Sequence, residues 1–210
     1  MKRYIYIHVA CINHWSTVFS TLLERIKNAG LYDAVDEIRL GILGDINVVV
    51  ADPKLKIRGK SKDLSEYETF TLNLLHQDSL QEDFEVLYIH TKGVRKPGNS
   101  INIGSWTDYL THFNIDRWSE CCRLLEKYDC VGVNLLPEPK PHYSGNFWWS
   151  RASYIRRLLP CVQDTFYAPE FWIGSGEGLK VALWNSKCPH YLVPYPESEY
   201  KDKPAEIYSL

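Results

Sequence analysis

The sequence predicts an α/β fold, a single domain over residues 1–210 whose central, mostly parallel mixed sheet of about six strands is flanked by helices. Three observations lead there. Short β-rich runs alternate with segments of helical spacing along the chain, which is the pattern of a sheet with helices on its faces. A chain of 210 residues has room for one sizeable core and not comfortably for two. Its hydrophobic fraction of 45% and charged fraction of 24% are those of a soluble globular protein.

Residues 4–11 (YIYIHVAC) read as the opening strand. From Ser16 the spacing changes, and Val18, Phe19, Leu22, Leu23 and Ile26 mark one helical face that Gly30 brings to a stop. Glu37 to Leu43 reads as a second strand and Asn47 to Ala51 as a third, followed by a charged, Gly/Pro-punctuated loop at 52–64. Ser65 and Glu68 have capping-box spacing and predict a helix through about Leu75. Phe84 to His90 (FEVLYIH) is a strand, and TKGVRKPGNS after it is a loop. Trp106 to Tyr128 predicts a long or broken helical region, and Cys130 to Leu135 another strand. Ala152 to Leu159 predicts a helix stopped by Pro160. Glu177 to Trp184 reads as helical, His190 to Val193 as a last short strand, and 194–210 as an extended tail or linker.

Bulk chemistry narrows the function classes. A formal net charge of -2 lacks the basic excess of a chain that wraps nucleic acid, so any nucleotide partner is expected to be small. The start is too short and polar for a signal peptide, and no apolar run approaches the roughly 20 residues of a membrane span. None of the six cysteines falls in a C-x-x-C pair, and reduced, buried thiols in a cytoplasmic protein are expected.

The most informative stretch is Pro141 to Ser153, PHYSGNFWWSRAS, with a carboxylate about twenty residues after its tryptophans in Pro169–Trp172 (PEFW). Flat aromatic faces beside small polar residues and a carboxylate suit a sugar, which offers C–H faces and hydroxyl edges. Adjacent residues in an extended segment face opposite ways, so one of Trp148 and Trp149 is expected in the core and the other against a ligand. In open α/β sheets ligands sit outside the carboxyl ends of strands. That rule selects Ala10–Trp15, Leu43–Asp45, His90–Arg95 and the segment after Leu135 as pocket walls.

Other nucleotide and hydrolase sites are excluded by motif. ACINHWS follows the first strand without a G-x-G-x-x-G, and neither a G-x-x-x-x-G-K-[ST] nor a G-x-S-x-G occurs. The histidines show no tight zinc spacing. Taken in order, HVACIN, YIHTKGV, W-x-x-Y-L, VGVNLLP, PHYSGNFWWSRASYI and PEFWIGS resemble the GT-A-type (Rossmann-like) nucleotide-sugar glycosyltransferases. Within them the similarity is to the group found in large DNA viruses of algae (the chlorovirus capsid glycosyltransferases) and in bacterial surface-polysaccharide clusters. The resemblance covers nearly the whole chain and implies a UDP-sugar donor, a glycan acceptor such as a capsid or surface glycan, Mn²⁺, and for a viral protein the host cytoplasm.

Carried over residue by residue, the resemblance makes His8, Val9, Ala10 and Cys11 the edge that holds the nucleotide base. It places Ser144, Gly145, Asn146, Trp148, Trp149 and Trp172 around the sugar or acceptor, and Glu170 as the active-site carboxylate. His190 takes the place of a metal-binding histidine. The family's acidic D-x-D position reads His90-Thr91-Lys92 here, and no D-x-D occurs in the chain.

Glycosyl transfer must stabilise a diphosphate leaving group and an oxocarbenium-like sugar. Lys92, Arg95 and Lys96 follow a strand end and are candidates for the diphosphate, beside Thr91. Alternatively a metal rides on the diphosphate with His90 or His190 completing its shell, and imidazole favours Mn²⁺ over Mg²⁺. Glu170 is expected to act as general base or to stabilise the cationic sugar, with Pro169, Phe171 and Trp172 desolvating it. Asp164, Glu138 and Glu177 are the weaker candidates. The rival expectation is a non-catalytic nucleotide-sugar or carbohydrate-binding module on the same fold.

Overall fold

The computed structural model describes residues 1–95 and 100–210. Its strands are β1 (Lys2–Ala10), β2 (Glu37–Leu43), β3 (Leu55–Ser61), β4 (Phe84–His90), β5 (Cys130–Gly132), β6 (Leu135–Leu136), β7 (His142–Tyr143), β8 (Trp148–Arg151), β9 (Lys180–Ala182) and β10 (Tyr208–Ser209). The helices are α1 (Trp15–Asn28), α2 (Leu31–Ala34), α3 (Thr69–Ser79), α4 (Ile101–Thr111), α5 (Trp118–Leu125), α6 (Ala152–Ile155) and α7 (Ala168–Trp172). One sheet of eight strands has the order β10-β9-β5-β8-β4-β1-β2-β3, and β6 with β7 forms a separate ribbon. Strands β4, β1, β2 and β3 run parallel, as do β5 and β9, while β8 and β10 are antiparallel to their neighbours. The expected α/β architecture with a mostly parallel mixed sheet is therefore present, with eight strands in the sheet rather than about six. Leu55–Ser61, Lys180–Ala182 and Tyr208–Ser209 are among the strands that the sequence reading does not place.

Strand periodicity divides the core in two. Along β1, Ile5, Ile7 and Val9 join a cluster with Leu22 and Ile26 of α1 and with Trp106, Tyr109 and Leu110 of α4. Tyr4 and Tyr6 point to the other face, among Leu72 and Leu75 of α3 and Ala152, Tyr154 and Ile155 of α6 and its start. Trp149 belongs to the first cluster and Trp148 to the second, so the pair does straddle the sheet.

Several elements differ from the sequence reading. The expected strand Cys130–Leu135 ends at Gly132, with Leu135 in the separate ribbon, and the expected helix Ala152–Leu159 ends at Ile155. The third strand is Leu55–Ser61 rather than Asn47–Ala51. It is an edge strand whose exposed positions are the cations Lys56, Arg58 and Lys60; such charges protect an edge from pairing with another chain, and they give the segment the composition of a loop. The capping-box reading fails because Asp63, not Ser65, caps a short 3₁₀ turn at Leu64–Glu66, accepting a bond from the Ser65 N–H at 2.8 Å. Helix α3 then starts at Thr69. Within Glu177–Trp184 the chain forms β9 instead of a helix, since a buried run this short suits either state and the gap beside β5 takes it as a strand. His190–Val193 is a turn, and the tail packs back: Tyr195 and Tyr200 lie edge-on to Tyr109, and β10 pairs with β9. The helical region before β5 is indeed broken, with a π-helical turn at His112–Asp116 between α4 and α5. Among the described residues, no helix is long and apolar enough to cross a membrane.

Candidate functional site

In the parallel half of the sheet the chain runs outward from β1 to β2 and β3, then crosses back to place β4 on β1's other side. The strand order reverses there, and the crevice beyond the carboxyl ends of β1 and β4 is where such a sheet leaves room for a ligand. A cavity of about 390 Å³ opens there. Its inner wall is His8 and Ala10 of β1 with His90 at the end of β4 and Thr91 and Lys92 just after it. Tyr67 and Glu68 come from the β3–α3 connection, Gly145 and Asn146 from the turn before β8, Glu170 from α7, and Phe166, Tyr167 and Tyr191 from the rim.

The Ser144–Gly145–Asn146 turn is the organising piece. Gly145 has φ +94°, and a Cβ there would sit 2.7 Å from Leu110 Cδ1 and 3.2 Å from Trp106 Cε2, so both backbone and space call for glycine. Asn146 follows at φ 55°, a left-handed position that asparagine tolerates. The Gly145 N–H donates to Glu170 Oε1 at 2.6 Å. Asn146 Nδ2 donates to Glu68 Oε2 at 2.6 Å, and its Oδ1 accepts from Trp148 Nε1 at 2.8 Å. Two carboxylates from distant parts of the chain thus meet consecutive residues of one turn. The second oxygen of Glu170 has no hydrogen-bond partner among the described residues.

The histidines are held neutral. His90 Nε2 lies 3.1 Å from the Gly145 carbonyl, which can only accept, so Nε2 carries the proton and Nδ1 presents a lone pair 3.8 Å from Glu68 Oε1. Burial, followed by the nearby Lys92 charge, pushes the His90 pKa down to about 3. Burial likewise lowers His8 to about 4, and its Nδ1 bonds Thr71 Oγ1 at 2.8 Å. Lys92 is lowered to about 8 by burial, against the pull of Glu170 and Glu68. Its ammonium sits 3.6 Å from the centroid of the Trp106 ring. Arg95 lies with its guanidinium carbon 4.0 Å over the Tyr67 ring. Tyr67 itself is at φ 49°, a strained setting of roughly 1–3 kcal/mol for a bulky residue.

Of the residues predicted from sequence, the fold brings His8, Ala10, His90, Thr91, Lys92, Arg95, Gly145, Asn146 and Glu170 into one wall. Val9 points into the core and Cys11 lies outside the wall, its N–H donating to the Leu43 carbonyl at 2.8 Å. Ser144 is also outside it. Lys96 lies outside the described residues. Asp164, Glu138 and Glu177 do not reach the cavity.

The tryptophans require a correction. Trp148 and Trp149 are both 0% exposed, and Trp172 is buried as well, so none faces a ligand. Their indole N–H groups are satisfied internally, by Asn146, the Asn114 carbonyl and the Leu159 carbonyl at 2.8 Å each. Trp148 reaches the site indirectly, through Asn146 and through Tyr88, on which it stacks and whose hydroxyl donates to Glu68 at 3.3 Å. The aromatic surface at the cavity is instead Phe166, Tyr167 and Tyr191, 60%, 53% and 58% exposed.

His190 does not join His90. Its ring is sandwiched between Trp106 (centroids 5.2 Å, 3° between planes) and Tyr109 (5.2 Å, 27°). Its Nε2 meets Ser186 Oγ at 2.8 Å and Asn134 Nδ2 at 3.2 Å. Among the described residues no three His, Cys, Asp or Glu side chains converge as a metal-holding group. His90 Nδ1 and Glu68 Oε1 are 3.8 Å apart in the cavity wall, which also holds His8 and Glu170.

Sequence reasoning missed Tyr67, Glu68, Phe166, Tyr167 and Tyr191. The first two follow from the misplaced third strand: once β3 is Leu55–Ser61, the loop after it must emerge at the carboxyl end of the sheet, beside the cavity.

The chain belongs to the family described as a domain of unknown function (DUF8361), whose model matches residues 45–169. That span takes in Tyr67, Glu68, the His90–Arg95 segment, Gly145, Asn146, Phe166 and Tyr167, and ends one residue before Glu170. No curated protein matches the chain.

Proposed function

We propose that the protein is a GT-A-type glycosyltransferase that moves a hexose or deoxyhexose, glucose- or rhamnose-like, from a UDP-sugar to a hydroxyl of a growing glycan. The observation that carries the reading is one cavity, at the sheet's switch point, that holds two cations with no salt bridge among the described residues beside Glu170, whose second oxygen has no hydrogen-bond partner among those residues. A diphosphate leaving group needs the first and an acceptor hydroxyl the second.

In this reading the end of β1 at His8 and Ala10 lies against the nucleotide, and Lys92 and Arg95 take the diphosphate charge as the bond from the anomeric carbon to the phosphate oxygen breaks. Glu170, oriented by the Gly145 N–H, receives the acceptor's proton as the new C–O bond forms, or faces the cationic sugar in a retaining reaction. Glu68 and Asn146 offer hydrogen bonds to sugar hydroxyls, and the rim of Phe166, Tyr167 and Tyr191 offers flat apolar surface to the acceptor. Mn²⁺ enters the proposal only as an ion carried by the diphosphate. His90 and Glu68 supply two donors and not a cage, and a bound ion would add charge neutralisation.

The test is Glu170→Gln, which keeps an acceptor for the Gly145 N–H and removes the negative charge. UDP affinity should stay within about threefold of wild type while transfer from UDP-sugars falls about 10²–10⁴-fold. Unchanged turnover would end the assignment.

A second reading, a non-catalytic nucleotide-sugar-binding module, has its own support: one oxygen of Glu170 is already occupied at 2.6 Å as a structural acceptor. It predicts UDP-sugar binding with neither transfer nor hydrolysis for any donor.

A further inference from the structure

Lys92 and Arg95 line the same cavity as Glu68 and Glu170, yet among the described residues neither cation is ion-paired to a carboxylate. Each is carried on an aromatic face instead. Behind Lys92 the support is layered: ammonium, Trp106, His190, Tyr109, with the last three rings nearly parallel and about one ring thickness and a half apart at 5.2 Å per step. Asn134 fixes the base of that stack, its Oδ1 accepting from Tyr109 Oη at 2.9 Å and from the Ser186 N–H at 2.8 Å while its Nδ2 meets His190. Asn134 holds this place at φ 49°. Arg95 rests on Tyr67, which is itself held at φ 49° and braced edge-on by Phe166 at 5.7 Å.

We propose that Trp106 and Tyr67 are positioning residues of an anion cradle, and that they hold Lys92 and Arg95 over the cavity for a diphosphate group. An aromatic face attracts a cation without supplying a neutralising charge, so the cation stays aimed and its charge stays available to a ligand. A carboxylate in the same place would orient the cation and cancel it. Glu68 and Glu170 in the same wall attract Lys92 through space, but neither forms a salt bridge to it among the described residues. This inference deepens the transferase reading by naming what positions its leaving-group site, but its anion-binding core does not depend on any sugar being transferred.

The experiment is calorimetric titration of the full chain with inorganic pyrophosphate, for wild type, Lys92→Met, Trp106→Phe, Trp106→Leu and the double variant Lys92→Met/Trp106→Leu. Trp106→Leu is expected to weaken pyrophosphate about tenfold, and Trp106→Phe, which keeps an aromatic face, by no more than about threefold. The double variant should lose no more than Lys92→Met alone, because the tryptophan acts through the lysine. Additive losses, or wild-type affinity in Trp106→Leu beside a clear loss in Lys92→Met, would overturn the proposal, as would absence of pyrophosphate binding to the wild type. Should Trp106→Leu lose its fold by circular dichroism, Tyr67→Leu against Tyr67→Phe gives the same contrast for Arg95 at an accessible ring. Coupled losses of pyrophosphate binding in a chain that turns over no UDP-sugar would leave the cradle standing and remove the transferase reading.

Discussion

Two clusters of cations on this sheet are handled in opposite ways. Toward the amino ends of the strands, Arg39 is buried under three carboxylates, Glu37 at 2.8 Å, Asp78 at 3.0 Å and Glu82 at 2.8 Å, with its guanidinium carbon 3.7 Å over the Tyr4 ring. Tyr6 and Arg58 complete that network through Asp78. At the carboxyl ends, Lys92 and Arg95 have rings beneath them and no carboxylate partner among the described residues. Charge that is internally neutralised ties β2 to α3 and can do little else. Charge that is oriented and left unneutralised costs the fold some stability and is what a ligand anion would meet. The same sheet therefore separates a structural ion cluster from a candidate binding site by which end of the strands each occupies.

Substitutions can break this contrast at either end. The largest effect on stability is expected from Arg39→Met, which strands Asp78 and Glu82 together: a loss of about 3 kcal/mol in urea unfolding, with pyrophosphate affinity unchanged below the melting transition. Lys92→Met should do the reverse. Pyrophosphate affinity falls about tenfold or more, while the melting temperature holds or rises, because burial already disfavours the lysine's charge. Gly145→Ala is expected to cost about 1–2 kcal/mol from its positive φ and to disturb the turn that both carboxylates bind, lowering affinity and stability together.

Acid should act on the paired end. Burial pushes the Glu82 pKa up, but bonds from Lys2, Arg39 and Tyr4 outweigh it and hold the carboxyl at about 2. Its folded pKa lies below the unfolded value of about 4.3, so its stabilisation is full above that value and is lost as pH falls toward 2. Unfolding curves between pH 5 and 2 should show this loss in the wild type and a flatter profile in Arg39→Met. The smallest effect belongs to Arg58→Ala, whose cation is partly exposed beside Asp78: about 0.5 kcal/mol or less, vanishing at high salt.

Much of this was legible in the sequence where one physical signal dominated. Strands Glu37–Leu43 and Phe84–His90 were read to the residue because their apolar runs are bounded by polar ones on both sides. The rule that ligands gather at carboxyl strand ends points to Ala10, the His90–Arg95 loop and the Gly145 turn, all in the cavity wall. It points also to residues 11–15 and 43–45, which are not, and His8 enters through the family resemblance alone. Reading failed where two signals competed. Leu55–Ser61 carries enough lysine and arginine to look like a loop, and losing that strand also lost Tyr67 and Glu68. The paired tryptophans looked like a binding surface because tryptophan needs a polar partner for its N–H. Backbone carbonyls and Asn146 provide that partner inside, which composition cannot reveal.

The measurement that bears most directly on the central claim is calorimetric titration of UDP, with Mn²⁺ and with EDTA, into wild type, Lys92→Met and Arg39→Met. The account predicts that UDP binds wild type and folded Arg39→Met alike and binds Lys92→Met at least about tenfold more weakly in either condition. Equal UDP affinity in all three, or no binding to the wild type with or without metal, would contradict it.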